Sequence, residues 1–127
     1  MENVKLNFVI VCDNAFIAQG SNSLNIIGVF DRIGAQQFPV MFPRLYVVTN
    51  FSGTPGSYTQ RIVFRAKKND EIIAKLESSG IVIAGTGQKA QFIGSFFGLS
   101  FPEKDEYIIE VFINNVLQPL SATLYVG

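Results

Sequence analysis

Glu106-Tyr107-Ile108-Ile109-Glu110-Val111-Phe112-Ile113, then Asn114-Asn115, then Val116-Leu117-Gln118-Pro119-Leu120-Ser121-Ala122-Thr123-Leu124-Tyr125-Val126, is the stretch that decides the fold. Tyr107, Ile109, Val111 and Ile113 fall on every second residue, the period of a strand with one buried face. Asn114-Asn115 has the chemistry of a tight hairpin turn. Leu120, Ala122, Leu124 and Val126 continue the alternation after it, with Ser121, Thr123 and Tyr125 facing out. Pro119 has no backbone N–H, so the last strand is expected to lie at an edge or to bulge there.

The same period runs back through the chain. Leu6, Phe8, Ile10 and Cys12 are assigned to one face of a first strand, and Leu24, Ile26, Gly28 and Phe30 to a second, with a turn at 20–23. Leu45, Val47, Thr49 and Phe51 mark a third, followed by a Gly- and Pro-containing loop over 52–57. Tyr58–Lys68 is a fourth, with Ile62, Phe64 and Ala66 inward and Arg61, Arg65 and Lys67 outward. Asn69-Asp70 turns the chain into Glu71–Leu76. Residues 77–88 read either as a strand switching sheets or as a covered connection, and Lys89–Phe97 is a further strand. No segment keeps a helical period over ten residues. Short strands with regular turn signals predict an all-β chain: a single domain over 1–127, folded as a two-sheet antiparallel β-sandwich of about seven to nine strands. Each sheet is expected to keep one wet face.

Composition narrows the chemistry. Of 127 residues, 48% are apolar, 16% are charged and 12 are Phe, and the net charge is zero. Soluble domains usually carry about 25% charged residues. Without His there is no Ser-His-Asp triad, no Cys-His dyad and no imidazole metal site. A single Cys forms neither an internal disulfide nor a multi-thiolate zinc site. Zero net charge argues against electrostatic capture of nucleic acid or of an anionic membrane. No signal peptide or membrane-spanning stretch is legible, which leads to the expectation of a cytoplasmic protein without membrane insertion.

Phe8-Val9-Ile10-Val11-Cys12-Asp13-Asn14, Leu24–Ile33 with Phe38-Pro39, and Phe96-Phe97-Gly98-Leu99-Ser100-Phe101-Pro102 before Tyr107 together resemble an uncharacterised family of small bacterial proteins of about 130 residues. The resemblance implies a β-sandwich, immunoglobulin-like or C2-like, and supplies no activity and no cofactor.

Several residues are candidates for a site. The loop Ile33–Pro43 holds Phe38, Met41 and Phe42 and is stiffened by Pro39 and Pro43. It either plugs one end of the core or exposes an apolar patch, with Arg44 placed to meet an acidic group. Phe96 and Phe97 are adjacent, so one of them must point to the nominally wet side of its strand, and the same holds for Ile108 and Phe112 beside Tyr107 and Ile109. The interface candidates are therefore Phe38, Met41, Phe42, Arg44, Phe97 and Phe112. Apolar residues on both faces of several strands imply cover, from the 77–88 connection or from another subunit. Asp13 and Asp31 are expected at opposite ends of their strand pair. The cations Arg61, Arg65, Lys67, Lys68 and Lys75 read as a solvated face. Glu103, Asp105 and Glu106 lack the ordered spacing of a calcium loop, and Gly85–Lys89 lacks the spacing of a phosphate loop.

The leading expectation is a non-enzymatic interaction module that associates with itself or with a protein partner. A small-molecule or carbohydrate-binding sandwich, with Tyr46 and Tyr125 as exposed rings, is the alternative. A carboxylate-only enzyme comes last.

Overall fold

The computed structural model describes residues 4–127. Met1–Asn3, which the sequence reading carried into the domain, lie outside the described residues. Nine strands follow in order: β1 Lys5–Ile17, β2 Leu24–Val29, β3 Arg32–Ile33, β4 Val40–Ser52, β5 Gly56–Ala66, β6 Ile72–Ile83, β7 Lys89–Phe101, β8 Asp105–Ile113 and β9 Val116–Val126. They form a four-stranded sheet, β2-β1-β4-β7, and a five-stranded sheet, β3-β9-β8-β5-β6. Every pairing is antiparallel except the short parallel contact of β3 with β9 at a sheet edge. The chain is thus an all-β, two-sheet sandwich.

The main core lies between the sheets. Val11, Leu45, Val47 and Phe96 from one sheet meet Ile62, Phe64, Ile109 and Leu124 from the other. A second cluster at one end gathers Leu6, Phe51, Tyr58, Ile83, Val111 and Ile113. Burying each large apolar side chain contributes about 1.5–3 kcal/mol. Three edge-to-face ring pairs join the sheets: Phe64–Phe96, Phe101–Tyr107 and Phe51–Tyr58, with centroids 4.9, 5.0 and 5.4 Å apart. Such pairs add about 0.5–1.5 kcal/mol each beyond burial. The two buried tyrosines satisfy their hydroxyls in the same way. Tyr107 donates to the Glu103 carbonyl at 2.6 Å, and Tyr58 donates to the carbonyl of Thr54. Each reaches back to the carbonyl four residues upstream, the device of a tyrosine corner. Thr49 and Gln60 bond across the sheets at 2.7 Å, which leaves Gln60 Nε2 as the one buried side-chain polar atom without a partner among the described residues.

Turns and inward positions of β5 and β8 match the alternation, and Asn114-Asn115 turns with φ of 50° and 66°. Five expectations are corrected. A bulge between Leu6 and Phe8 splits the first strand's supposed single face: Leu6, Val9 and Val11 point inward, while Phe8 and Cys12 point outward. That strand also continues past Asp13 to Ile17. Residues 77–83 neither switch sheets nor cover a face, but extend β6 along β5 to Ile83. Residues 40–43 are not loop but the start of β4, paired only with β7, since β1 covers only the Tyr46–Ser52 part of that strand. One edge of β4 is therefore free at Pro43, where a missing N–H costs nothing. Finally, Leu120 is 41% exposed rather than inward. The β8–β9 register slips between Glu110 and Phe112, opposite the Pro119 segment, and β3 reaches only Tyr125 and Val126 on the other side.

Candidate functional site

The outer face of the four-stranded sheet is the unusual surface. Cross-strand register lays its β1, β4 and β7 side chains out in rows. Phe8, Asn50 and Gln91 form the first, Ile10, Val48 and Ile93 the second, and Cys12, Tyr46 and Ser95 the third. Arg44 and Phe97 stand opposite each other in the fourth, where β1 has left the sheet. The middle of this face is not wet. Val48 and Cys12 are fully buried there, with Ala15, Phe8, Leu24, Ile26, Tyr46 and Ile93 around them. Burial pushes the Cys12 thiol above its ordinary 9.0, with a smaller contribution from the nearby Asp13 carboxylate; the Asn14 backbone acts against both.

The cover comes from the chain itself. Beyond Cys12, β1 pairs only with β2, and this hairpin doubles back over the sheet. Its turn residue Asn22 lines the same cavity as Asn50 of β4 and Gln91 of β7. The bend has a local cause. Gly28, opposite Asp13, has φ of 69°, and a Cβ there would sit 2.5 Å from Asp13 Oδ2. Only glycine leaves the room and adopts that backbone without strain.

At the bend end, Asp13, Phe42, Pro43 and Arg44 line a cavity of about 630 Å³. Met41 and Phe97, each 68% exposed, stand on the outer face beside Arg44. Gly98, with φ of 62°, breaks the alternation of β7 here, so that Phe96 and Leu99 both turn inward and Phe97 turns out. The Arg44 guanidinium lies 5.7 Å above the Tyr46 ring and takes no part in the four ion pairs among the described residues. Asp13 also makes no ion pair, so one free cation and one free anion border a single cavity.

Three of the six sequence candidates, Met41, Arg44 and Phe97, therefore come together. Phe38 does not join them, and Phe42 does so only as a wall of the cavity beside Arg44. Both are half-buried against the main core, Phe42 tilted on Phe30 at 5.7 Å. Phe112 lies on the other sheet, half-buried 4.2 Å beneath the Arg61 guanidinium. Tyr46 and Tyr125 lie on different sheets, each with an arginine over its ring, Arg32 standing 4.5 Å from Tyr125. They form no shared sugar platform. The register sets Asp13 opposite Gly28, near Asp31 rather than at the far end of the pair. Of the five cations assigned to a solvated face, four meet carboxylates: Arg65–Glu110 at 2.8 Å, Lys68–Glu103 at 3.4 Å, Lys67–Glu106 at 3.7 Å and Arg61–Glu77 at 3.9 Å; Lys75 makes no ion pair among the described residues. Asp105 instead accepts from the backbone N–H of Lys68 and of Glu106. Among the described residues no three His, Cys, Asp or Glu side chains gather closely enough to hold a metal. No helix there is long and apolar enough to cross a membrane.

This geometry defines a β-sandwich with one ion-paired outer face and one apolar outer face closed by its own hairpin. The chain belongs to the family of unknown function DUF6941, whose model matches residues 7–127. It is also similar to the crystal structure of an immunoglobulin-like protein from Pseudomonas aeruginosa, at 14% identity over 98% of this chain and 97% of that one, with a TM-score of 0.46. No curated protein matches the chain.

Proposed function

We propose that this chain is a non-enzymatic, cytoplasmic interaction module that associates with a second copy of itself through Met41, Arg44 and Phe97. The observation that carries the reading is the pair of two-thirds-exposed apolar side chains flanking a guanidinium with no acidic partner. Exposed apolar residues grouped beside an unpaired charge favour burial against another surface. The charges are self-complementary: in a two-fold arrangement, Arg44 of each copy meets Asp13 of the partner subunit. The lack of histidine and the engagement of Glu77, Glu103, Glu106 and Glu110 in ion pairs favour binding over catalysis. The single Cys suits a reducing compartment.

Sedimentation velocity across a concentration series tests it. The expected result is a dimer that Phe97→Glu or Arg44→Asp dissociates, and that Asp13→Arg restores in the Arg44→Asp background. A strict monomer at every concentration overturns self-association.

A further inference from the structure

At the opposite end of the same face lies a cavity of different character, of about 880 Å³, lined by Asn22, Asn50, Gly87, Gln88, Lys89 and Gln91. We propose that it is a saccharide-binding site. The proposal does not rest on the self-association reading, because none of these residues belongs to the Met41–Arg44–Phe97 patch.

Three elements build the site, and each is held in place. Asn50 and Gln91 are direct cross-strand neighbours on β4 and β7. Asn22 sits in the hairpin turn, its N–H bonded to the Ala18 carbonyl at 2.9 Å. Gly87 and Gln88 belong to the turn closed by the Gln88 N–H on the Gly85 carbonyl at 3.1 Å. The decisive group is the Asn50 amide. The residue is only 8% exposed, and its Oδ1 accepts from Asn7 Nδ2 at 2.8 Å. Asn7 is fixed in turn by Ser52 Oγ at 2.9 Å. This chain of bonds sets the amide so that Nδ2, which solvent still reaches, is the donor left over beside the cavity. Held in one orientation, it offers an incoming oxygen a place now open to water.

The rest of the lining defines what brings that oxygen. Among the described residues the side chains of Asn22, Gln88 and Gln91 make no hydrogen bonds, and each offers both donors and an acceptor. Lys89 offers donors alone. Among the described residues no apolar side chain and no carboxylate lines the cavity, so an apolar ligand, a cation or a peptide rich in apolar side chains finds no match there. Hydroxyl groups, which donate and accept at once, answer the three amides. The volume falls within the range of small-ligand sites.

The test uses the full-length, nitrogen-15-labelled chain, titrated separately with neutral maltotriose and acidic trigalacturonate. The expected result is movement of the backbone amides of Asn22 and Gly87–Gln91 while those of Arg44 and Phe97 stay in place. Gln88→Ala with Gln91→Ala, at exposed positions that leave the fold intact, is expected to weaken binding at least tenfold, about 1.4 kcal/mol. Binding of maltotriose that ignores Lys89→Ala supports a neutral sugar. Tighter binding of trigalacturonate that falls to the maltotriose level in Lys89→Ala supports an acidic one. Silence of these amides toward both sugars at tens of millimolar overturns the proposal. Trigalacturonate binding that survives the double glutamine variant, with no response to maltotriose, also overturns it, since Lys89 alone then attracts the acid.

Discussion

The two outer faces of this sandwich solve the same problem differently. The strands of the five-stranded sheet carry eight charged residues, and those of the four-stranded sheet carry four: Lys5, Asp13, Arg44 and Lys89. All four ion pairs among the described residues lie on or beside the five-stranded sheet. Its outer surface is kept in water by paired charge, with Phe112 tucked beneath Arg61. The other surface has too little charge for that, and its middle rows are apolar. It is dried by a hairpin drawn over it, leaving amides at one end and Met41, Arg44 and Phe97 at the other. A wet face tolerates the loss of any one contact, whereas a dried face depends on its cover.

That contrast can be broken most sharply at Val48. Val48→Asp buries an unpaired charge in the dried face, and urea denaturation is expected to show a loss of about 3–5 kcal/mol. A loss below 1 kcal/mol would mean that the hairpin opens freely and the face is wet after all. Gly28→Ala attacks the cover instead. The left-handed backbone costs about 1–2 kcal/mol, and contact with Asp13 adds to it. Thermal denaturation should register the loss, with faster hydrogen exchange confined to 13–29, and Asp13→Ala should relieve only the steric part.

On the wet face, Glu110→Ala removes the shortest ion pair, which is partly exposed, and is expected to cost about 1 kcal/mol or less. A double-mutant cycle with Arg65→Ala should show that coupling shrinking as salt rises. The smallest effect concerns Cys12. Its thiol is raised in the folded state, so above pH 9.0 the unfolded chain loses its proton first. Stability then falls as pH rises from the ordinary thiol value through the raised one. Cys12→Ala should flatten that part of the pH–stability curve, and an equal slope in both proteins would place the thiol in water.

The sequence showed most where one face alone is buried. Ile62, Phe64 and Ala66 in β5, and Tyr107, Ile109, Val111 and Ile113 in β8, read correctly because charged or polar neighbours mark their wet side. It misled where both faces are apolar. Leu6, Phe8, Ile10 and Cys12 look like one stripe, and nothing local announces the bulge that sends Leu6 one way and Cys12 the other. The prolines at 39 and 43 suggested a loop because the departure of β1, which makes Pro43 harmless, is a tertiary event. At the site, Met41, Arg44 and Phe97 were legible as exposed candidates, but not as neighbours. Asn50 and Gln91 were overlooked. Amides interrupting apolar strands were their signal, and only the register of β4 with β7 makes them a pair.

The doubled-back hairpin also orders events in time. Its strands are joined by six residues, so it closes locally and fast, on the microsecond scale of hairpins. The surface it shields needs β1, β4 and β7, which lie far apart in the chain and must pay loop-closure entropy before they pair. The shield is therefore available before the sheet that requires it. The apolar middle of that sheet need never stand bare while the chain finds its fold.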